Sequence, residues 1–501
     1  MSLFEQSIRV SAHQAWTFVA SHPKLSVVGV CILLQIARWI YLLFFHPLAR
    51  FPGPKIAAIS ELWYAYVYAS GQSVWVLDEA HKKYGPVVRT SPNSLSFATS
   101  ASIRDIYRQK NFLKASSFDD IDAVFEVPGL GTDKDPESHA KQRKLSNPAF
   151  TTSAVREYEP LINEYLDPFL KAIEERGKDV QGVNMEEWFK YLIFDTAGAL
   201  STGESFDALK GGVPHRWMKM VTGLLDMAAY HTVLSRITGI KFLLSLITPH
   251  LMVEERKFHT DWIKDHVNRR IASPSDRKDF LHHFIEKDGS TTCSVEQLYA
   301  HTSHFLPGTT ETTAIVILAT FYHLLKTPAA WHQLQEEIRR AFTSVEDINS
   351  TALSALPYLN AVLREGLRIM PGFSNGFPRY SPGAVVSGHF VPKGTVVSTH
   401  HWTVVHDETN FEAPYEFRPE RWIDPNNGDT KEASQPFGLG SRNCIGQNLA
   451  WVLMRLYLAK TIFLYDLELV DPKQDWMRES KSYFLWIKAP LMVRVSRRNG
   501  V

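Results

Sequence analysis

The sequence predicts a mainly α-helical fold with a small β-sheet region, built as one large domain behind an N-terminal membrane-crossing helix. Three observations predict it. Apolar residues recur at the helical period, as at Leu449, Val452, Leu453, Leu456 and Tyr457. Strand-like pieces are short and few, at 87–88, 95–97, 385–391 and 396–397. An apolar run occupies 25–45, and no linker-like break follows residue 60.

Residues 1–24 are a short leading segment with Arg9 and Lys24. The run 25–45 is interrupted only by polar Ser26, Gln35 and Arg38. As a helix it spans ~31 Å, one hydrocarbon thickness. Its thirteen Leu, Ile, Val and Phe residues contribute roughly −4 to −8 kcal/mol toward insertion. Arg38 opposes this by at most ~2.5–3.5 kcal/mol and less if it snorkels, so insertion wins. A cleaved signal is disfavoured by the length of the run, its aromatic end and the lack of a small-residue cleavage site. Residues 46–58 (His-Pro-Leu-Ala-Arg-Phe-Pro-Gly-Pro onward) read as a stiff hinge, and 59–501 as the main domain. Thr327 before Pro328 starts a helix to about Phe342, and 356–369 and 447–463 read as further helices.

Composition excludes several classes. With 501 residues, 45% hydrophobic and net charge +1, the chain can bury a large core and is not disordered. No basic stripe suits nucleic acid. The three cysteines at 31, 293 and 444 have neither disulfide-framework nor zinc spacing.

Chemistry concentrates at 437–446, Phe-Gly-Leu-Gly-Ser-Arg-Asn-Cys-Ile-Gly. Cys444 sits in a glycine-rich loop running into an apolar helix, where loop N–H groups and the helix start stabilise a thiolate. Gly440 and Gly446 lack a Cβ and admit close approach of a flat cofactor. Arg442 offers a planar fork for a carboxylate such as a haem propionate. The phosphate-cradling Gly-Lys-Ser/Thr is missing, so this is not a nucleotide loop. Glu365 and Arg368, three apart, share a helix face. In 307–313 (Pro-Gly-Thr-Thr-Glu-Thr-Thr), Pro307 removes a ladder bond and Thr312 faces the carbonyl of Gly308. Together these open a groove in an apolar helix expected to begin there and run to about Leu325.

The pattern F-x-x-G-x-R-x-C-x-G resembles the ligand loop of the cytochrome P-450 superfamily, and the resemblance extends in order along nearly the whole chain. It implies a haem cofactor with Cys444 as the iron's axial ligand, held also by Phe437, Arg442 and Gly446. His139 and Arg143 resemble the early-helix pair that holds a propionate, and Arg379 another propionate partner. Glu365, Arg368 and Arg421 (within 417–422) resemble the buried bracing network. Thr312 is implied to organise a water and Glu311 to relay protons. Thr309 departs from the usual glycine at its position.

The resemblance further implies a monooxygenase of microsomal, filamentous-fungal type, with a lumenal N-terminus and a cytosolic domain on the endoplasmic reticulum. There the sequon at Asn349 stays unused. No flavin or nicotinamide motif is present, so NADPH acts only indirectly, through a flavoprotein reductase meeting Lys141, Lys144 and Arg455. The substrate walls fall at 112–131, 205–250, 304–312, 373–377 and 483–485. They suit a lipophilic substrate, a terpenoid, polyketide or alkaloid of secondary metabolism. Two rivals are an isomerase or dehydratase on the same haem without a reductase, and a haem sensor or electron carrier. Thr312 and Glu311 weigh against both.

Overall fold

A computed structural model describes residues 21–115, 125–220, 223, 240–273, 276–286, 288–483 and 485–498, with backbone only for 240–252. The fold is mostly helical with small sheets, as expected. An apolar helix Pro23–Ile40 continues as a π turn Tyr41–Phe45, and Pro23–Phe45 is long and apolar enough to cross a membrane. Leu33, Leu34, Phe44 and Phe45 on it are exposed. The 46–58 segment lies against the main domain. Leu48 and Phe51 are buried, Arg89 donates its backbone N–H to the carbonyl of Pro52, and a Cβ on Gly53 would sit 2.4 Å from the Arg89 oxygen.

The expected strands form. Val87–Ser91 and Ser94–Phe97 make an antiparallel hairpin, and Ser94–Phe97 then pairs in parallel with Val396–Thr399. Arg379–Tyr380 and Leu113–Lys114 complete this five-stranded sheet. A three-stranded sheet joins Val183–Asn184, Met492–Arg497 and Tyr465–Leu469. The 385–391 piece is a hairpin, Ala384–Val386 against His389–Val391.

One apolar core runs from Val74 to Val495 and is organised around a 32-residue helix, Val295–Lys326. This helix begins well before Pro307, correcting the sequence reading. Ser294 caps it by accepting from the Gln297 N–H at 3.2 Å, with Glu296 in the first turn. Pro307 is tolerated within it, so the proline removes one ladder bond without ending the helix. Met185–Thr202, Pro357–Ile369 and Gln447–Leu464 pack against it. Helices Pro328–Ala341, Pro357–Ile369 and Gln447–Leu464 match their expected bounds closely.

Candidate active site

The cysteine loop is built by two tight turns. Gly438 (φ +70°) and Gly440 (φ +76°) take left-handed conformations, and the Cys444 N–H closes the loop on the Phe437 carbonyl at 2.8 Å. A Cβ on Gly440 would lie 2.5 Å from the Tyr107 carbonyl oxygen. Gly440 is therefore required by its own backbone and by the helix end at Tyr107–Arg108, a reason the sequence did not show. Gly446 is different: its Cβ would meet only the Cys444 sulfur, at 3.9 Å.

Protein surrounds Cys444 closely, yet the residue is exposed, so it borders a cleft inside the molecule. Burial pushes its thiol up, against the pull of the Gly446 N–H and the Arg143 charge. The thiolate expected from the loop dipoles alone is thus outweighed by desolvation. A coordinated metal reverses that balance, because it deprotonates a thiol outright.

Cations gather beside this loop. His139 is 5% exposed, and burial followed by the charges of Arg442, Lys114, Arg143 and Arg379 lowers it to about 4. Arg379, on a short strand, is brought down to about 10 by burial, which the Arg442 charge reinforces and Tyr107 opposes. Among the described residues, no carboxylate lies within 4 Å of Arg143, Arg379 or Arg442. Arg442 donates to the carbonyls of Asp133 (2.6 Å) and Lys134 (3.1 Å), and Arg143 donates to Asn443 O and Oδ1 at 2.6 and 3.0 Å. Such a cluster calls for anionic company, and the two carboxylates of a haem have that chemistry. The residues present fit the group.

On the long helix, Gly308 is exposed between half-buried Pro307 and Thr309, and a Cβ there would meet nothing within 4 Å. Thr312, one turn on, is half-buried and donates to the Gly308 carbonyl at 3.0 Å, as its position suggested. Thr309 donates to Phe305 O at 2.8 Å and Thr310 to Pro307 O at 3.0 Å. Glu311 is buried in an ion pair with Lys488. Burial acts to raise its carboxyl, but Lys488 and Lys190 outweigh it and hold the group below the usual range.

The expected ion-pair network around Glu365 is formed and buried. Glu365 and Arg368 are each 0% exposed and Arg421 2%. Glu365 Oε1 accepts from Arg368 Nη2 (2.7 Å), Arg421 Nε (3.1 Å) and the Arg418 N–H (3.1 Å). Its Oε2 accepts from Arg368 Nε (2.9 Å) and Trp422 Nε1 (2.8 Å). Arg421 is also paired with Asp429.

A family model for cytochrome P450 matches residues 52–495. Cytochrome P450 monooxygenase ORF9 of Penicillium roqueforti is 37% identical over 96% of this chain and 97% of that relative. The chain belongs to the cytochrome P450 family. Cytochrome P450 monooxygenase BOT4 of Botryotinia fuckeliana is 37% identical over 93% of the chain and 90% of its own length. Cytochrome P450 monooxygenase lcsI of Purpureocillium lilacinum is 34% identical over 98% of both. This cytochrome P450 is accordingly an oxygen-incorporating oxidoreductase with haem as cofactor, a family whose electrons generally come from NADPH through a reductase.

Sequence reasoning missed several residues of this P450's site. Lys488 pairs with Glu311 from 177 positions away, and no local signal marks it. Tyr107 is half-buried beneath Arg379, whose guanidinium lies 5.5 Å from the ring centroid, and its hydroxyl donates to Phe377 O at 2.9 Å. Asp429 and Trp422 complete the Glu365 network. His304 and 129–131, both within the expected walls, pack together, and a Cβ on Gly129 would approach the His304 Nδ1 to 2.2 Å. Parts of the expected substrate walls, at 116–124, 221–222, 224–239 and Phe484, lie outside the described residues.

Proposed function

We propose that this P450 inserts one atom of dioxygen into a lipophilic fungal secondary metabolite, a terpenoid, polyketide or alkaloid, with electrons from an NADPH-dependent flavoprotein reductase. The observation that carries the reading is Cys444, enclosed by protein yet opening onto an internal cleft at the start of Gln447–Leu464.

When bound, the haem supplies the dioxygen chemistry, and thiolate ligation makes its iron electron-rich. Cys444 would ligate the haem iron, with Phe437 and Gly446 shaping the loop beside it. Arg442, Arg379, His139 and Arg143 hold the propionates. Arg143 also fixes Asn443, so it ties the cation cluster to the ligand loop. Thr312 gives its hydroxyl hydrogen to Gly308 and keeps its oxygen lone pairs to accept from a water in the cleft. Glu311, the preceding residue, relays protons. Glu365, Arg368 and Arg421 brace the loop.

The apolar helix serves as a single anchor over 25–45 in the endoplasmic reticulum membrane, with 46–58 connecting it to a cytosolic catalytic region 59–501. Exposed Lys141 and Lys144 present positive charge to the reductase. Arg455 is half-buried, over Trp451 and bonded to Asn360, and forms the edge of that surface.

The test is the optical spectrum of the reduced, carbon-monoxide-bound protein beside Cys444→Ser. A strongly red-shifted Soret band in the wild type alone supports the reading. A band at the position of a neutral ligand, or no carbon monoxide binding, overturns it.

A further inference from the structure

A line of aromatic rings leads from beside Thr312 to the protein surface. Gly372 borders Thr312, and a Cβ on it would lie 3.9 Å from the Thr312 Cβ. The neighbouring Pro371 carbonyl accepts from Trp486 Nε1 at 3.2 Å, and Ser374 Oγ accepts from the same N–H at 3.1 Å. The Trp486 ring centroid is 6.0 Å from that of Trp402, which stacks on His406 at 4.0 Å. His406 in turn stacks on Tyr415 at 4.8 Å. Trp486, Trp402 and His406 are buried, whereas Tyr415 is 53% exposed and its hydroxyl accepts from Lys82 Nζ at 3.2 Å.

Core packing explains this line poorly. A buried tryptophan usually finds a partner for its N–H, yet Trp402, fully buried, has none among the described residues. Phenylalanine would fill the space without orphaning a donor. Indole differs from phenyl in a second respect: it gives up an electron far more readily. The orphaned N–H then has a use, because an oxidised indole with no base beside it keeps its proton and draws an electron from the next ring instead. Burial, reinforced by the Arg368 charge, holds His406 well below 6.5, so it stands neutral in the stack. Trp75 also touches Trp402, with centroids 4.6 Å apart, but the Arg478 guanidinium lies 3.8 Å over the Trp75 ring. A cation there opposes removal of an electron from Trp75, which leaves the branch from Trp402 to Tyr415 favoured.

We propose that Trp486, Trp402 and Tyr415 form a path that discharges oxidising equivalents left in the cleft when no substrate consumes them. The inference rests on the haem lying in the cleft beside Thr312. In one discharge an electron passes from Trp486 to the oxidant that the oxygen chemistry generates there, and Trp402 refills Trp486. Tyr415 refills Trp402 through the His406 ring, imidazole being harder to oxidise than either neighbour. At Tyr415 the O–H bond breaks, its proton goes to water and a neutral phenoxyl radical remains. A small thiol in solution restores it: the S–H hydrogen moves to the Tyr415 oxygen and leaves a thiyl radical. The oxidant gains one electron, and the damage ends on a thiol instead of on the cofactor.

The experiment mixes substrate-free, haem-loaded protein with hydrogen peroxide, freezes it rapidly and records electron paramagnetic resonance, with haem bleaching followed in parallel. Wild type is expected to show a tyrosyl radical that added thiol removes. Tyr415→Phe, Trp402→Phe and Trp486→Phe are each expected to lose that signal and to bleach faster. Trp75→Phe, the same change in the same cluster, is expected to behave as wild type. A wild-type protein without a tyrosyl radical overturns the proposal, as does an undiminished signal in any of the first three variants. Equal loss in Trp75→Phe also overturns it, because packing then explains the effect. Where a tryptophan variant does not retain haem, protein grown with fluorinated tryptophan keeps the shape but is harder to oxidise, and an unchanged tyrosyl yield in it overturns the path. The carbon monoxide spectrum is taken first on every protein. A red-shifted band without the radical overturns the path alone, whereas its absence from wild type overturns the haem-thiolate reading and the path with it.

Discussion

Replacing Glu365 by alanine tests the bracing network with a magnitude the structure constrains. The substitution removes the only carboxylate paired with Arg368 among the described residues, leaving that buried guanidinium with the carbonyls of Val405, Pro414 and Glu416. Arg421 keeps Asp429. One bare buried cation, not two, is therefore created, which places the loss near the lower end of the ~3–5 kcal/mol range for breaking a buried pair. Unfolding entropy of about 2.1 cal/mol/K per residue gives ~1 kcal/mol/K for the 501-residue chain, so Tm should fall by ~3 °C. Asp429→Ala alone should cost less, because Arg421 keeps Glu365. The double variant strips Arg421 of both partners and should lose more than the sum, by ~0.5–3 kcal/mol. Asp466→Asn, at a pair whose acid is 52% exposed, is the control and should move stability by ~1 kcal/mol or less. Calorimetry with haem stoichiometry checks all four. Additive losses, or a Glu365→Ala protein as stable as the Asp466→Asn control, would refute the reasoning.

Three further predictions follow from local geometry. Gly308→Ala should stabilise the long helix by ~1 kcal/mol, because its Cβ meets nothing within 4 Å, while lowering turnover by narrowing the cleft; a less stable or equally active variant contradicts this. Gly440→Ala combines a positive φ with a 2.5 Å approach to Tyr107 O and should lose haem, whereas Gly446→Ala, at φ −81°, should retain more of it, as read by haem-to-protein ratio. His81 and His401, lowered to about 4, and His400 and His406, held well below 6.5, all owe this first to burial. Their folded values lie below the unfolded one, so the stability they contribute is present above pH 6.5 and is lost as pH falls toward 4. Four such groups give a slope of up to ~5 kcal/mol per pH unit near pH 5; a flat Tm between pH 6.5 and 5 would contradict it.

The parts of the site that were readable from sequence are those whose partners lie within a few residues. Glu365 and Arg368 are one helical turn apart, and Thr312 bonds the carbonyl four residues back. The loop around Cys444 is likewise local, and its resemblance to a known ligand loop pointed to haem. Parts that were not readable depend on distant segments. Asp429 reaches Arg421 only because the 412–429 loop folds back, and Tyr107, at the end of the helix Ser100–Tyr107, meets Gly440 from a distant part of the chain. Where the long helix begins was also hidden, because a mid-helix proline looks like a start when the tertiary packing that tolerates it is not visible.

By itself, then, the chain's order of residues determined the helical class, the anchor-like run, the cysteine loop and the identities of the acid and alcohol beside it. Tertiary structure alone decided which charges those groups feel. The Cys444 thiol is raised by burial despite its loop N–H groups, and the Glu311 carboxyl is lowered despite burial because Lys488 and Lys190 face it. Periodicity and spacing act over a few residues. Desolvation and Coulomb forces depend on what the whole fold brings within a few ångströms, and that is settled only when segments hundreds of residues apart are packed together.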